Sequence, residues 1–273
     1  MANDLITPST ANSSAMWEAT SSSSSATSWT LSVSPLLAGD LLVFATSYAS
    51  AGTMTALSGG GCNASGSGLD GAWQRIAGPF ASVSWDLELW MGKVITPGAS
   101  TITATISGQG TGQSVRRNCK AFTTTGGLGT IYTQVGAGGT RANTTASTTV
   151  TFPTMTPSGI NRLYLGFGTN GTGQTTGATA GYTVELDPGT NPVIYNASVP
   201  NSAQTPTSVT SSSASYLVAA LIKADNPTAR MMPFFAPAHH ADELEQRPSG
   251  LYVQRRRVFG YRRPSAGVLC RGC

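Results

Sequence analysis

Asp86 and Glu88 stand two residues apart in SVSWDLELWMGKVI (82 to 95), with Trp90 two residues further on. On a strand, alternate residues project to one face with Cα atoms about 6.5 to 7 Å apart. Two carboxylates so placed are able to serve as the acid and nucleophile of a glycosidase, or as part of a Ca²⁺ site. Trp90 on the same face adds a ring on which a sugar can stack. The competing reading is a solvated strand face carrying two ordinary surface acids. Asp86, Glu88 and Trp90 are therefore kept as a candidate glycan or ion surface.

A second group lies near the end of the chain. QRRRVFGYRR (254 to 263) holds five arginines, with Phe259 and Tyr261 set between them. Guanidinium groups take phosphates and aromatic rings stack on bases, yet Arg and Tyr are also the residues of protein interface hot spots. The upstream run MMPFF (231 to 235) favours docking to protein over nucleic acid, because an arm for nucleic acid has no need of it. The candidate docking residues are Met231, Met232, Phe234, Phe235, Tyr252, Arg255, Arg256, Arg257, Phe259, Tyr261, Arg262 and Arg263. A smaller basic group, Arg116, Arg117 and Lys120, reads as a charged strand edge that discourages strand addition.

Other chemistry is sparse. GxSxG, HExxH and phosphate-loop patterns do not occur, and the two histidines, His239 and His240, are adjacent. Cys270 and Cys273 form a CRGC, half of a zinc site without a second pair at ligand spacing. Four cysteines in 273 residues make no disulfide scaffold. The expectation is no enzyme, no metal, no cofactor and free thiols.

The elements that must carry these residues read as strands. Only 10% of the chain is charged, 40% is hydrophobic, and Ser, Thr and Gly fill most of the rest, which suits strands and tight turns. SWTLSVS (28 to 34) alternates, and LLVFATSY (41 to 48) is a continuous apolar run fit for a central strand. GGGCNASGSGLDG is a glycine-rich crossing. SVSWDLELW puts Val83, Trp85, Leu87 and Leu89 on one face and Ser84, Asp86, Glu88 and Trp90 on the other, a period of two. The second half repeats the first in pattern: AGDLLVFAT with SGINRLYLGFG, GAWQRI with AGYTVEL, and VRRNCKAFT with SVTSSSASYLVAALIKA. No capped segment of helical period precedes residue 225. The fold class predicted is an all-β antiparallel two-sheet sandwich, jelly-roll-like.

The ends differ from the body. Residues 1 to 27, with five consecutive serines, read as a low-complexity arm. Residues 28 to 225 form the sandwich of two similar halves. Residues 226 to 273, with four prolines by Pro248 and no alternation, read as an extended docking tail. Ordering such a segment costs about 1 to 2 kcal/mol per residue, which it cannot recover by packing on itself. Residues 1 to 222 are net −1 and the remainder net +5, so the basic character belongs to the tail. MANDLITPSTANSS has neither a basic nor an apolar signal region, and the longest apolar run, YLVAALI, is too short to span a membrane. Synthesis in a cytoplasm, with no membrane partner, is the expectation.

The succession AGDLLVFATSY, a Gly-rich loop, GAWQRIAGP and LELWMGKVITPGASTITATISG resembles the β-sandwich domain of virion proteins of tailed bacteriophages infecting actinobacteria, the minor tail proteins. It spans roughly residues 28 to 224. The resemblance implies a non-enzymatic virion component with other virion proteins, and copies of itself, as partners. It implies no catalytic residues. The alternatives are a carbohydrate-binding module or adhesin contacting host surface glycans, a capsid decoration protein and, furthest from the sequence, a glycoside hydrolase.

Overall fold

The computed structural model describes residues 6–8, 26–49, 51–81, 85–109, 115–124, 131–160, 162–170, 174–175, 179–186 and 191–224. Fourteen strands and no helix occur among them. The first eight are β1 (Ile6–Pro8), β2 (Ser28–Val33), β3 (Leu41–Ala49), β4 (Thr53–Ser58), β5 (Gln74–Ala81), β6 (Trp85–Lys93), β7 (Ser100–Ser107) and β8 (Arg116–Thr124). The remainder are β9 (Ile131–Thr151), β10 (Arg162–Asn170), β11 (Gln174–Thr175), β12 (Thr183–Leu186), β13 (Pro192–Val199) and β14 (Thr207–Ala224). All ladders between them are antiparallel.

The all-β antiparallel class expected from composition is the class observed. The first eight strands form a jelly roll. A long hairpin ribbon rolled into two sheets pairs its first strand with its eighth, its second with its seventh and its third with its sixth. Here β1 pairs β8, β2 pairs β7 and β3 pairs β6. The roll's two sheets run β1-β8-β3-β6-β5 and β2-β7-β4. β1 falls inside the segment read as an arm, and it closes the roll.

The second half adds a further layer. Its sheet runs β14-β10-β13-β12, with β9 on the other side of β14 and β11 beside β14's beginning. The order β9-β14-β10-β13-β12 repeats β1-β8-β3-β6-β5 strand for strand, so the pattern repeat in the sequence is also a repeat of topology. Across the interface Phe122 of β8 meets Tyr195 of β13, with ring centroids 5.5 Å apart, and Phe80 of β5 meets Tyr216 of β14 at 6.1 Å. β3 and β10 therefore run in the same direction while the strand orders are reversed. A two-fold rotation about an axis along the strands relates sheets in this way.

Burial follows from the layering. The sheet β1-β8-β3-β6-β5 packs one face on the second half, through Leu41, Val43, Leu87, Leu89, Leu165 and Val218 among others. Its opposite face packs on β2-β7-β4, through Leu42, Phe44, Trp90, Leu31 and Ile102. All nine residues of β3 are buried, whereas β2 alternates exposed and buried along its length. A strand covered on both faces reads as continuous apolar sequence, and one with a wet face alternates. The outer face of the second-half sheet is covered by Val150, Phe152 and Met155.

Leu41 and Leu42 are adjacent, fully buried and on opposite faces. Truncating either to Ala is expected to cost about 2 to 5 kcal/mol in urea unfolding. In a sheet with one wet face, one of the two substitutions would be nearly neutral.

Candidate docking surface

β6 places Asp86, Glu88 and Trp90 on one face, as its alternation predicts. That face is not wet, because β2-β7-β4 covers it. Asp86 is 7% exposed, Glu88 1% and Trp90 7%, so they form no surface for a glycan or an ion. Glu88 is held by its neighbours. The Tyr48 hydroxyl donates to its Oε1 at 2.5 Å and the Trp90 indole N–H to its Oε2 at 2.6 Å, with Arg75 3.6 Å from Oε1. Burial raises the Glu88 pKa, and the two donors pull it partly back. Tyr48 also accepts, at 3.4 Å, from the backbone N–H of Met54 on β4. This contact ties the two sheets of the roll together. Asp86 is raised by burial alone, and its Oδ1 has no hydrogen-bond partner.

The basic group on β8 divides. β1 pairs only with Phe122 to Thr124 of β8, so Arg116, Arg117 and Lys120 lie on a stretch with β3 as its one described strand neighbour, the edge position expected of them. Arg117 faces β2, donates to the Thr30 carbonyl at 2.8 Å and lies 5.5 Å from the centre of the Trp29 ring. Lys120 faces the second half. Its ammonium meets Glu185 of β12 at 2.5 Å and lies 4.9 Å from the centre of the Tyr195 ring. The Tyr195 hydroxyl donates to the same Glu185 oxygen at 2.9 Å, and its pKa is pushed up to about 12, by burial first and Glu185 second. Neither Tyr48 nor Glu185 stands out in sequence, since each is a single polar residue in an ordinary strand.

What the body offers to a partner lies at one end. Six large apolar side chains are exposed among the described residues: Leu36, Leu37, Leu69, Ile95, Ile160 and Val209. The first five sit on the β2–β3, β4–β5, β6–β7 and β9–β10 connections, all at the end where β3 and β10 begin. β14 ends there too, at Ala224, so the chain leaves the sandwich at this end. Three of the loops are stitched together by backbone bonds: Gly39 N–H to Val94 O, Ile95 N–H to Gly61 O and Gly98 N–H to Pro35 O. Gly59 fixes the start of the β4–β5 loop at φ +80°, where an added Cβ would collide with the Thr101 carbonyl oxygen. The Trp73 indole donates to the Gly59 carbonyl at 2.9 Å. Apolar residues held on a stiff surface are a docking feature. In the sequence their signal is large apolar residues inside turn segments: PLLAG, GLDG and VITPG.

The tail residues Met231, Met232, Phe234, Phe235, Tyr252, Arg255, Arg256, Arg257, Phe259, Tyr261, Arg262 and Arg263 lie outside the described residues, as do Cys270 and Cys273. Cys62 and Cys119 are free thiols, and burial pushes Cys62 up to about 12. No cluster of His, Cys, Asp and Glu suited to a metal ion occurs among the described residues, and no helix of the described chain is long and apolar enough to cross a membrane. Compared with known proteins, the chain matches no family model, no curated protein and no solved structure.

Two outcomes follow from the buried charges. Glu185→Ala strands Lys120, which is 2% exposed, and is expected to cost about 3 to 5 kcal/mol. Lys120→Met leaves Glu185 with water access and its Tyr195 bond, so urea unfolding is expected to show the smaller loss. For Asp86 the folded pKa lies above the unfolded value of about 4. The folded state then holds its proton to higher pH, so stability falls as pH rises through that window. Asp86→Asn removes this slope. It is expected to be at least as stable as the parent at pH 7, with a flatter pH profile above pH 4; a loss at pH 7 would contradict the assignment.

Proposed function

We propose that this protein is a non-enzymatic structural component of a tailed-phage virion, of the minor tail or particle-surface kind. Its sandwich body is displayed, and residues 226 to 273 dock it onto neighbouring virion subunits. The observation that carries the reading is the distribution of polar and apolar groups. The body's candidate catalytic and binding side chains are buried, with Trp90 bonded to Glu88, while its exposed large apolar residues gather on loops at the end where β14 ends. A chain arranged in this way has contact chemistry to offer.

Three features support it. The strand succession resembles that of minor tail proteins. The jelly roll is a fold also used by viral capsid proteins, an analogy of fold alone. The tail's Met, Phe, Tyr and Arg residues are those that anchor protein interfaces. Of the rings the glycan-binding alternative would use, Trp90 is buried with its indole N–H on Glu88, which counts against that alternative.

Deleting residues 226 to 273 tests the reading. The truncated body is expected to keep its far-UV circular dichroism and cooperative unfolding and to be missing from purified particles. Normal incorporation of the truncated chain would refute it.

A further inference from the structure

Arg117 carries a positive charge into the roll and is 5% exposed. Glu88 and Lys120 each meet an opposite charge, whereas no acidic side chain among the described residues lies within ion-pair reach of Arg117. Thr46 pairs with Arg117 on one side and with Glu88 on the other, so it stands between them. Its hydroxyl donates to the Arg116 carbonyl at 2.7 Å and bridges neither. Glu88 is already taken by Tyr48, Trp90 and Arg75. Burial lowers the Arg117 pKa, the direction expected of a cation held without an anion.

What Arg117 holds is a neutral acceptor. Its Nη1 donates to the Thr30 carbonyl at 2.8 Å, on the edge of the guanidinium away from Nε. Along the other edge Nε and Nη2 carry parallel N–H bonds, the fork that takes both oxygens of a carboxylate. Nε is buried without a hydrogen-bond partner. The indole N–H of Trp29 is in the same state; Trp29 is 3% exposed, and its ring centre lies 5.5 Å from the Arg117 guanidinium carbon. Two buried donors on stacked side chains with no acceptor carry a cost that an acceptor from outside removes. They also stand where one can enter. β2 is an outer strand of its sheet, and β8 from Arg116 to Ala121 has β3 as its one described strand neighbour. The pair therefore lies at the margin of both sheets of the roll, where a ligand arrives without parting a ladder.

We infer that Arg117 and Trp29 form a binding site for a carboxylate, held in the Nε–Nη2 fork with the Trp29 indole N–H as a further donor. A single guanidinium balances a single negative charge. Arg116 and Lys120 fall on the other face of β8 by strand alternation, so no second cation of that strand stands by to offset a phosphate dianion, whose burial beside one arginine leaves charge unanswered. The same chemistry comes from two sources, a small organic acid or an acidic side chain of a second copy, and the experiment separates them. The inference does not rest on the virion reading.

The experiment follows the Arg117 Nε–H and Trp29 indole N–H resonances of the full-length chain by NMR while sodium acetate is added, against sodium chloride at equal ionic strength and against inorganic phosphate. Acetate is expected to move both resonances downfield and to saturate, with chloride leaving them in place. Trp29→Phe keeps a stacked ring and drops the donor, so it is expected to keep the parent's unfolding midpoint and to raise the acetate dissociation constant about three- to tenfold. Arg117→Gln is expected to abolish the response, and the titration of the parent stands whether or not that variant folds. Resonances already downfield at high protein concentration, and returning on dilution, would assign the carboxylate to a second copy. Resonances moved by neither acetate nor dilution, moved as far by chloride, or moved by phosphate at lower concentration than by acetate would overturn the inference, as would a Trp29→Phe variant that binds acetate like the parent. Acetate binding by a protein excluded from particles would sink the virion reading and leave this one standing.

Discussion

The sheet β1-β8-β3-β6-β5 is covered on both faces, and the charged side chains Glu88, Arg117 and Lys120 that it carries are answered inside the protein. Burying a polar or charged group without a partner costs more than one hydrogen bond returns. The answers come from the layer on each side. Tyr48 takes the Met54 N–H of β4 while donating to Glu88, Arg117 reaches the Thr30 carbonyl of β2, and Lys120 crosses to Glu185 of β12. Each of these contacts therefore fixes the register of one layer on another, a specificity that apolar packing alone supplies weakly.

The same constraint shapes the exterior. Several of the body's few charges, Asp40, Asp86, Glu88, Arg117, Lys120 and Arg162, are drawn inward, which leaves a charge-poor exterior with little long-range field. Contacts with such a body depend on shape and apolar patches. The loop end, with Leu36, Leu37, Leu69, Ile95 and Ile160, offers apolar area. That area suits a protein that works among neighbours, where a patch that would be a hazard in isolation is covered by assembly.

Much of the fold was legible in the residues. The continuous apolar run of β3 marked a central strand, the alternation of β2 marked an outer one, and the paired patterns of the two halves reappear as one strand order. What the sequence concealed is the covering of β6. Its alternation of Leu87 and Leu89 with Asp86 and Glu88 reads as one wet face, and local sequence does not reveal that β2-β7-β4 folds over it. A carboxylate that is solvated and one that accepts from Tyr48 and Trp90 look alike until the partner strands are placed. The burial of Lys120 was hidden for the same reason, since its partner Glu185 is distant in sequence and belongs to the other half. The loop patch was within reach, because large apolar residues in Gly- and Pro-bounded turns have no core to enter.

The central claim is that the tail joins this body to protein. The most direct measurement is the solution mass and 260/280 nm absorbance ratio of the full-length chain and of residues 1 to 225, each at low and high salt. The account predicts species larger than a pair of copies for the full chain, free of nucleic acid and reduced to pairs or single copies by the truncation. A full-length chain of the same mass as the truncated one, or one that carries nucleic acid through its tail and releases it in salt, would contradict it.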